Sequence, residues 1–408
     1  MKNASEGVTR RNMVLQLAPA AAIAAAGIMP AMAADRSRSD PGPASPPLDA
    51  QNPDSAWPPP TDSKSLVQNF KYPFSFANKR TYEGGWSREV TVRELPVSKS
   101  MAGVNMRLTA GGVRELHWHT AGEWAIMLYG NARITAIDAE GKSFVADVKQ
   151  NDLWYFPSGI PHSIQGLDPD GTEFLLVFDD GSFSEQETVL LSDSMAHLPP
   201  EVLAKNFGIA EQAMSNLPKQ ELFIFQTAVP GSLDADRNAA AGSLGPSPVD
   251  FAFRTMAIPP TKSTKGGEVR IVDSSTFKVA TTVAMAMVTL HPGGLRELHW
   301  HPNADEWQYY IAGKGRMTVV DTGNKARTMD FQAGDVGYVQ KSLLHYVENT
   351  GDTDLVFLEM FKSSFYQDLS LSVWLSHTPP ELVMAHLKID QATLDAIPKT
   401  ENVVMPLT

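Results

Sequence analysis

The sequence predicts an all-β-dominated chain built from two tandem barrels or sandwiches, each followed by a short helical segment. Three observations carry this. The chain has 408 residues, too many for one small domain and enough for two cores of ordinary size. It repeats itself: Arg114-Glu115-Leu116-His117-Trp118-His119 recurs letter for letter as Arg296-Glu297-Leu298-His299-Trp300-His301. The register persists through Glu123-Trp124 against Glu306-Trp307, Gly130 against Gly313, Asp152 against Asp335 and His162 against His345. The stretches around these motifs, such as 132–137 and 315–320, are short, β-branched and aromatic, and 29 Gly and 29 Pro favour strands joined by turns.

In chain order, residues 1–33 read as an address. Thr9-Arg10-Arg11 precedes an Ala-rich apolar run ending in Ala31-Met32-Ala33, the pattern of a bacterial twin-arginine-type signal peptide cleaved before Ala34. The expectation is an exported protein, periplasmic or secreted, with no membrane contact after cleavage. An uncleaved anchor is the alternative, weakened by Pro19 and Pro30 within the run and by the low hydrophobicity of Ala. Residues 34–62 form a Pro-rich tether that cannot bury enough apolar surface to order itself. The first domain spans 63–240 and the second 241–408, with the boundary in 231–248, where Gly, Ala, Ser and Pro cluster. Leu198-Pro199-Pro200-Glu201 and Thr378-Pro379-Pro380-Glu381 each open a stretch with apolar residues at helical spacing.

A formal charge of -12 argues against nucleic acid and anionic membrane surfaces as partners, and an anionic substrate would need local positive charge. The absence of cysteine excludes disulfides, Fe–S clusters and thiolate zinc sites, so a metal must be held by His nitrogen and carboxylate oxygen. On a strand, residues i and i+2 share a face, so His117 with His119, and His299 with His301, each present two imidazoles to one point. Glu123 and Glu306 follow beyond a turn, and His162 and His345 arrive from a later strand. Three nitrogens and one oxygen leave two octahedral positions open for a bidentate ligand or O2. Scattered hydrogen-bonded histidines are the alternative, but six of the ten histidines occupy these repeated positions.

Residues 111–130 and 293–313 match the first cupin motif, Gly, five residues, His-x-His, three or four residues, Glu, six residues, Gly, and the chain resembles a bicupin. The second cupin motif departs at Asn151 and Gly166 in the first half and at Gln340 and Ser342 in the second, while its histidines remain. Residues 114–124, 153–159, 174–184 and 296–310 are similar to the bicupin oxalate decarboxylases, and the similarity covers nearly everything from about residue 66 to the end. This resemblance implies double-stranded β-helix (jelly-roll) barrels, two Mn ions per chain with one per domain, and O2 as a required co-catalyst. It further implies oxalate as substrate, formate and CO2 as products, and a homohexamer or homotrimer.

Between Phe178 and its Pro-Pro pair the first half is longer than the second by three residues, which fall in 181–187. The resemblance implies a mobile lid there, with Glu185 donating the proton that replaces CO2, and a catalytic first barrel; alone, Glu185 reads as a solvated loop carboxylate. Gln186-Glu187 departs from the family's Ser-Glu-Asn-Ser lid and adds a charge beside the donor. Arg114 and Arg296 are the natural partners for oxalate. Three residues separate each from the first His, which on an ideal strand means the opposite face, so pocket placement requires a bulge or twist, and a rim ion pair is the alternative. Arg296, Glu359 and Tyr366 form a possible secondary site around a second metal that is otherwise structural, and Leu176 stands where Glu359 does. Trp118 and Trp300 point away from the metals as packing or subunit-contact residues, and Trp154 walls the pocket. The rival functions are an oxalate oxidase releasing peroxide and CO2, a cupin dioxygenase, and a non-catalytic storage-type bicupin.

Overall fold

In a computed structural model, which describes residues 67–406, the two halves form two antiparallel sandwiches of one design. The expected signal peptide and the tether of 34–62 lie outside the described residues. In the first half a seven-stranded sheet runs in the order Ala252–Arg254, Asp152–Phe156, Glu123–Tyr129, Thr172–Phe178, Ala102–Leu108, Gly85–Val90, Arg80–Tyr82. It faces a sheet ordered Val189–Leu190, Gly112–Trp118, His162–Gly166, Asn131–Ile137, Ser143–Lys149, with Ile224–Gln226 also paired to Gly112–Trp118. The second half repeats both sheets, the larger containing Asp335–Val339, Glu306–Ala312, Leu355–Phe361 and Ala284–Leu290, the smaller Leu295–Trp300, Leu344–Asn349, Lys314–Asp321 and Lys325–Gln332.

The larger sheets are buried on both faces, so their strands carry near-continuous apolar runs where a half-exposed strand would alternate. In Glu123–Tyr129, Ala125 and Met127 enter the first barrel's core, while Trp124 and Ile126 join the apolar layer shared with the second barrel. The same split sends Phe174, Leu176 and Phe178 inward and Leu175 and Val177 to the shared layer. Burial on this scale, at about 25 cal/mol per Å² of apolar surface, makes the pair of barrels one packed body.

The halves also exchange strands. Lys71–Pro73 pairs with Asp335–Val339 of the second barrel, and Ala252–Arg254 pairs with Asp152–Phe156 of the first. Each exchanged strand delivers a cation to the repeated aspartate: Lys71 Nζ lies 3.3 Å from Asp335 and Arg254 Nη1 2.8 Å from Asp152. Each aspartate also accepts a backbone N–H across its turn, from Gln332 and Lys149. Asn151 (φ 68°) takes up at that turn the left-handed conformation that Gly334 (φ 89°) adopts in the second half, and Ser342 (φ 70°) does the same opposite Gly159. Asn visits this region readily and Ser less so, which is how the second cupin motif survives its departures.

The Pro-Pro-Glu blocks open helices Pro200–Phe207 and Pro380–Leu387, as expected, with proline in the first turn, where a missing N–H costs nothing. The Gly- and Ala-rich stretch read as a boundary holds a helix, Leu233–Ala241, capped by Ser232 and tied to the first barrel by Arg133–Asp236 at 2.5 Å and Arg237 Nε to Val145 O at 2.9 Å. No helix among the described residues is long and apolar enough to cross a membrane.

The two exchange contacts differ in burial: Lys71 and Asp335 are each 1% exposed, whereas Arg254 is 45% exposed. Lys71→Ala is therefore expected to cost about 3 kcal/mol, because it removes a buried cation facing a buried carboxylate, and Arg254→Ala about 1 kcal/mol or less. Urea unfolding of the two variants checks this, and equal losses would contradict it.

Candidate metal centres

Strand Gly112–Trp118 carries Arg114, Glu115 and His117, and its pairing with His162–Gly166 explains how Arg114 and His117 face one place. His162 is opposite His117 and Ile164 opposite Arg114, so three steps on one strand match two on the other. The bulge anticipated from strand parity is there, and it recurs in the second barrel between Arg296 and His299. It turns Arg114 and His117 both inward, leaving the intervening Leu116 half exposed.

His117, His119, Glu123 and His162 converge, as do His299, His301, Glu306 and His345; within each set every pair of ligand atoms lies within 4.8 Å, and all eight side chains are buried. His119 Nε2 is 3.2 Å and His162 Nε2 3.4 Å from Glu123 Oε2; in the second set His301 Nε2 is 3.1 Å and His345 Nε2 2.7 Å from Glu306 Oε2. Each imidazole Nδ1 lies 2.6 to 2.9 Å from a backbone carbonyl: Glu115, Ala121, Ile160, Glu297, Gln367 and Leu343 in turn. A carbonyl only accepts, so Nδ1 carries the proton and Nε2 presents its lone pair to the centre.

Burial, with His162 and Arg114 nearby, pushes His117 well below the ordinary histidine value; burial and Arg296 do the same to His299. Burial alone would raise Glu123 and Glu306, but the adjacent imidazoles outweigh it and hold both carboxyls below their usual range. His162 Nε2 is buried without a hydrogen-bond partner, and the Nε2 atoms of His299 and His301 face each other at 3.1 Å. Lone pairs so opposed around a carboxylate fit a divalent cation, and three nitrogens with one oxygen leave room for two further ligands.

Several supporting contacts lie outside the ligand motifs. Glu123 Oε1 accepts from Trp154 Nε1 at 2.9 Å, whereas Glu306 Oε1 accepts from Gln308 Nε2 at 2.6 Å. Trp154 is opposite Ala125 and Gln308 opposite Gly337, so the donor has moved to the partner strand, and a Cβ on Gly337 would come within 2.6 Å of Gln308 Oε1. Trp154 thus orients a ligand as well as lining the interior. Glu115, buried, accepts from Ser192, Leu222 N and Phe223 N, and Glu297 accepts from Ser370 and Val403 N. Phe223 (φ 58°) and Val403 (φ 60°) are both left-handed, and their carbonyls face Arg114 and Arg296. Sequence reasoning assigned these residues no role, although the letter-for-letter repetition of Glu115 as Glu297 signals the support.

Beyond the ligands the centres diverge. Arg114 Nη1 donates to Phe223 O at 3.3 Å, and its guanidinium lies 3.9 Å over the Phe223 ring. Arg296 is fully engaged: Nε with Glu359 at 2.9 Å, and Nη2 with Tyr366 at 2.6 Å and Asp368 at 2.7 Å. Trp118 and Trp300 are turned away from the centres, and Trp300 meets Trp374 edge-on at 5.7 Å.

Over the first centre, Phe183 stacks on Phe178 at 3.6 Å and edges onto His119. Glu185, 2% exposed, bonds Arg80 and, at 2.9 Å, Ser87 through Oε2, while its buried Oε1 has no partner. Gln186 and Glu187 point to solvent, so the extra charge expected beside Glu185 faces away from it; the neighbouring carboxylate is that of Glu89.

The cupin family model matches residues 74–215 and 255–395, one match per barrel. The chain is 53% identical over 357 residues to oxalate decarboxylase OxdC of Bacillus subtilis (strain 168), spanning 88% of this chain and 91% of that one. It is 37% identical to a probable oxalate decarboxylase of Arthroderma benhamiae over 88% of each. A solved structure of the B. subtilis enzyme, reported for its Mn(II) centres, superposes with a TM-score of 0.85 at 52% identity, covering 89% of this chain and 95% of that one. Two matched barrels, the doubled His and Glu sets and identity along nearly the whole described chain make this protein a member of the cupin family, within its bicupin oxalate decarboxylase branch.

Proposed function

We propose that the protein is a manganese-dependent enzyme that converts oxalate to formate and CO2, with O2 required but not consumed, and that the reaction runs in the first barrel with Glu185 as proton donor. The observation that carries this reading is the contrast between the two arginines. Arg114 is buried beside one centre and, among the described residues, has a single hydrogen bond, to Phe223 O, leaving its remaining donors for a substrate carboxylate. Arg296 is neutralised by Glu359 and Asp368, so an anion has no free guanidinium to meet at the second centre. There we propose a metal that does not turn oxalate over.

His117, His119, Glu123 and His162 would hold the ion, which when bound supplies divalent charge for the oxalate oxygens and a one-electron couple. Arg114 orients the substrate and offsets the negative charge of the protein around it. Phe178 and Phe183 exclude water from the centre. Oxalate dianion plus one proton gives formate and CO2, so each turnover must deliver a proton to the carbon that loses CO2. Burial raises the Glu185 carboxyl above the ordinary value, against the pull of Arg114 and then Arg80, so it retains a proton at mildly acid pH better than a solvated glutamate does. Export by the twin-arginine route and assembly as a homohexamer or homotrimer belong to the same proposal, the first supported by Thr9-Arg10-Arg11.

Glu185→Gln keeps the shape but cannot donate, and is expected to lower formate production from oxalate by about 100-fold or more, with peroxide rising in its place; unchanged formate would reject the assignment. The donor works only when protonated, so formate production should hold below the raised Glu185 pKa and fall as pH rises through it; a pH–rate profile without that decline would contradict the reading. Arg114→Ala should fold normally and lose about 100-fold in kcat/KM. Arg296→Ala should instead lose about 3 to 5 kcal/mol of stability in urea, because the fully buried Glu359 loses its counter-charge and Asp368, which keeps Tyr366 as a donor, loses its arginine.

A further inference from the structure

The segment Ser182 to Thr188 is tied mostly to itself. Phe183 N donates to Asp180 O, Gln186 N to Ser184 Oγ, Glu187 N to Ser184 O and Thr188 N to Glu185 O. Ser182 also bonds the adjacent Asp180, and the contacts that reach the strands beyond run through Glu185: its side chain bonds Arg80 and Ser87, and its backbone N–H donates to Glu89 Oε2 at 3.0 Å. That N–H opens the 3-10 turn Glu185–Glu187, where no acceptor exists within the turn itself. Glu89 is held for the task. Its Oε1 meets Arg93 at 2.5 Å, and its Oε2 lies 3.7 Å from the Arg80 guanidinium that also bonds Glu185.

We propose that Glu89 is the catch that keeps this segment shut over the first centre, a positioning residue that fixes Glu185 through its backbone and through a shared arginine. The carboxylate sits on the rigid strand Gly85–Val90, one side facing a surface pocket of about 290 Å³ lined by Asn78, Arg80, Arg93, Glu94 and Gln186. Solvent can therefore reach the catch from outside while the lid keeps it from the metal centre. Release of the catch frees the turn, withdraws Glu185 from the carbon it protonates and admits water and O2. The consequence for chemistry rests on the reading of Glu185 as proton donor; the catch itself does not.

The test uses the full, manganese-loaded chain. Hydrogen exchange of the 181–188 segment should speed about tenfold or more in Glu89→Ala, the loss expected for one charge-assisted hydrogen bond, with the barrel strands unchanged. Glu89→Gln keeps an acceptor and should restore most of the protection. Peroxide formed per formate from oxalate should rise with Glu89→Ala and return toward the wild-type ratio with Glu89→Gln, a partition that general loss of folded protein would not move. Unchanged exchange in Glu89→Ala, or equal acceleration in both variants, overturns the catch. Exchange as expected with no formate from any form, wild type included, upholds the catch and overturns the functional reading.

Discussion

Each of the six clustered imidazoles gives its Nδ1 proton to a backbone carbonyl, and the rest of the structure follows from that constraint. With the tautomer fixed, six Nε2 lone pairs and two buried carboxylates are aimed at two points, an arrangement that repels itself unless a cation shares it. The supports serve that aim. The bulge brings Arg and His of one strand to the same side, and Glu115 and Glu297 pin the strand from beneath. A donor at Trp154 or Gln308 keeps the ligand carboxylate from rotating. Two different residues solving the same problem from opposite strands of the pair indicates that the orientation of that carboxylate is what the fold maintains.

On this common frame the two barrels have parted by charge. Glu359 stands where the first barrel has Leu176, and with Asp368 it neutralises Arg296; Glu359 Oε2 remains buried without a partner beside Glu306 and His301. In the first barrel the guanidinium stays open, and the three additional residues build a segment that closes over it. A few side chains thus separate a centre with an open guanidinium from one whose guanidinium is neutralised, with no change in the ligands themselves.

Much of this is legible in the sequence. The exact repeat exposes the eight ligand-type residues, and strand parity shows that a pocket-facing Arg114, as the resemblance implies, needs a bulge or twist. Other features leave no local trace. Lys71–Pro73 and Ala252–Arg254 are three residues long and pair through backbone hydrogen bonds, which any sequence can make, so the strand exchange is hidden. The partners of Glu185 lie 105 and 96 residues before it, joined only by the folding of the hairpin that carries them. Asp368 escapes notice because nothing matches it in the first half. The helix at Leu233–Ala241 lies in a stretch whose Gly and Ser content signals a linker, while its stability comes from contacts with the barrel.

The central claim is that of two matching centres only the first accepts oxalate. Calorimetric titration of the manganese-loaded protein with oxalate under nitrogen, where turnover is arrested, tests it most directly. The account predicts one oxalate bound per chain, lost in Arg114→Ala; two per chain, or one that survives removal of Arg114, would contradict it.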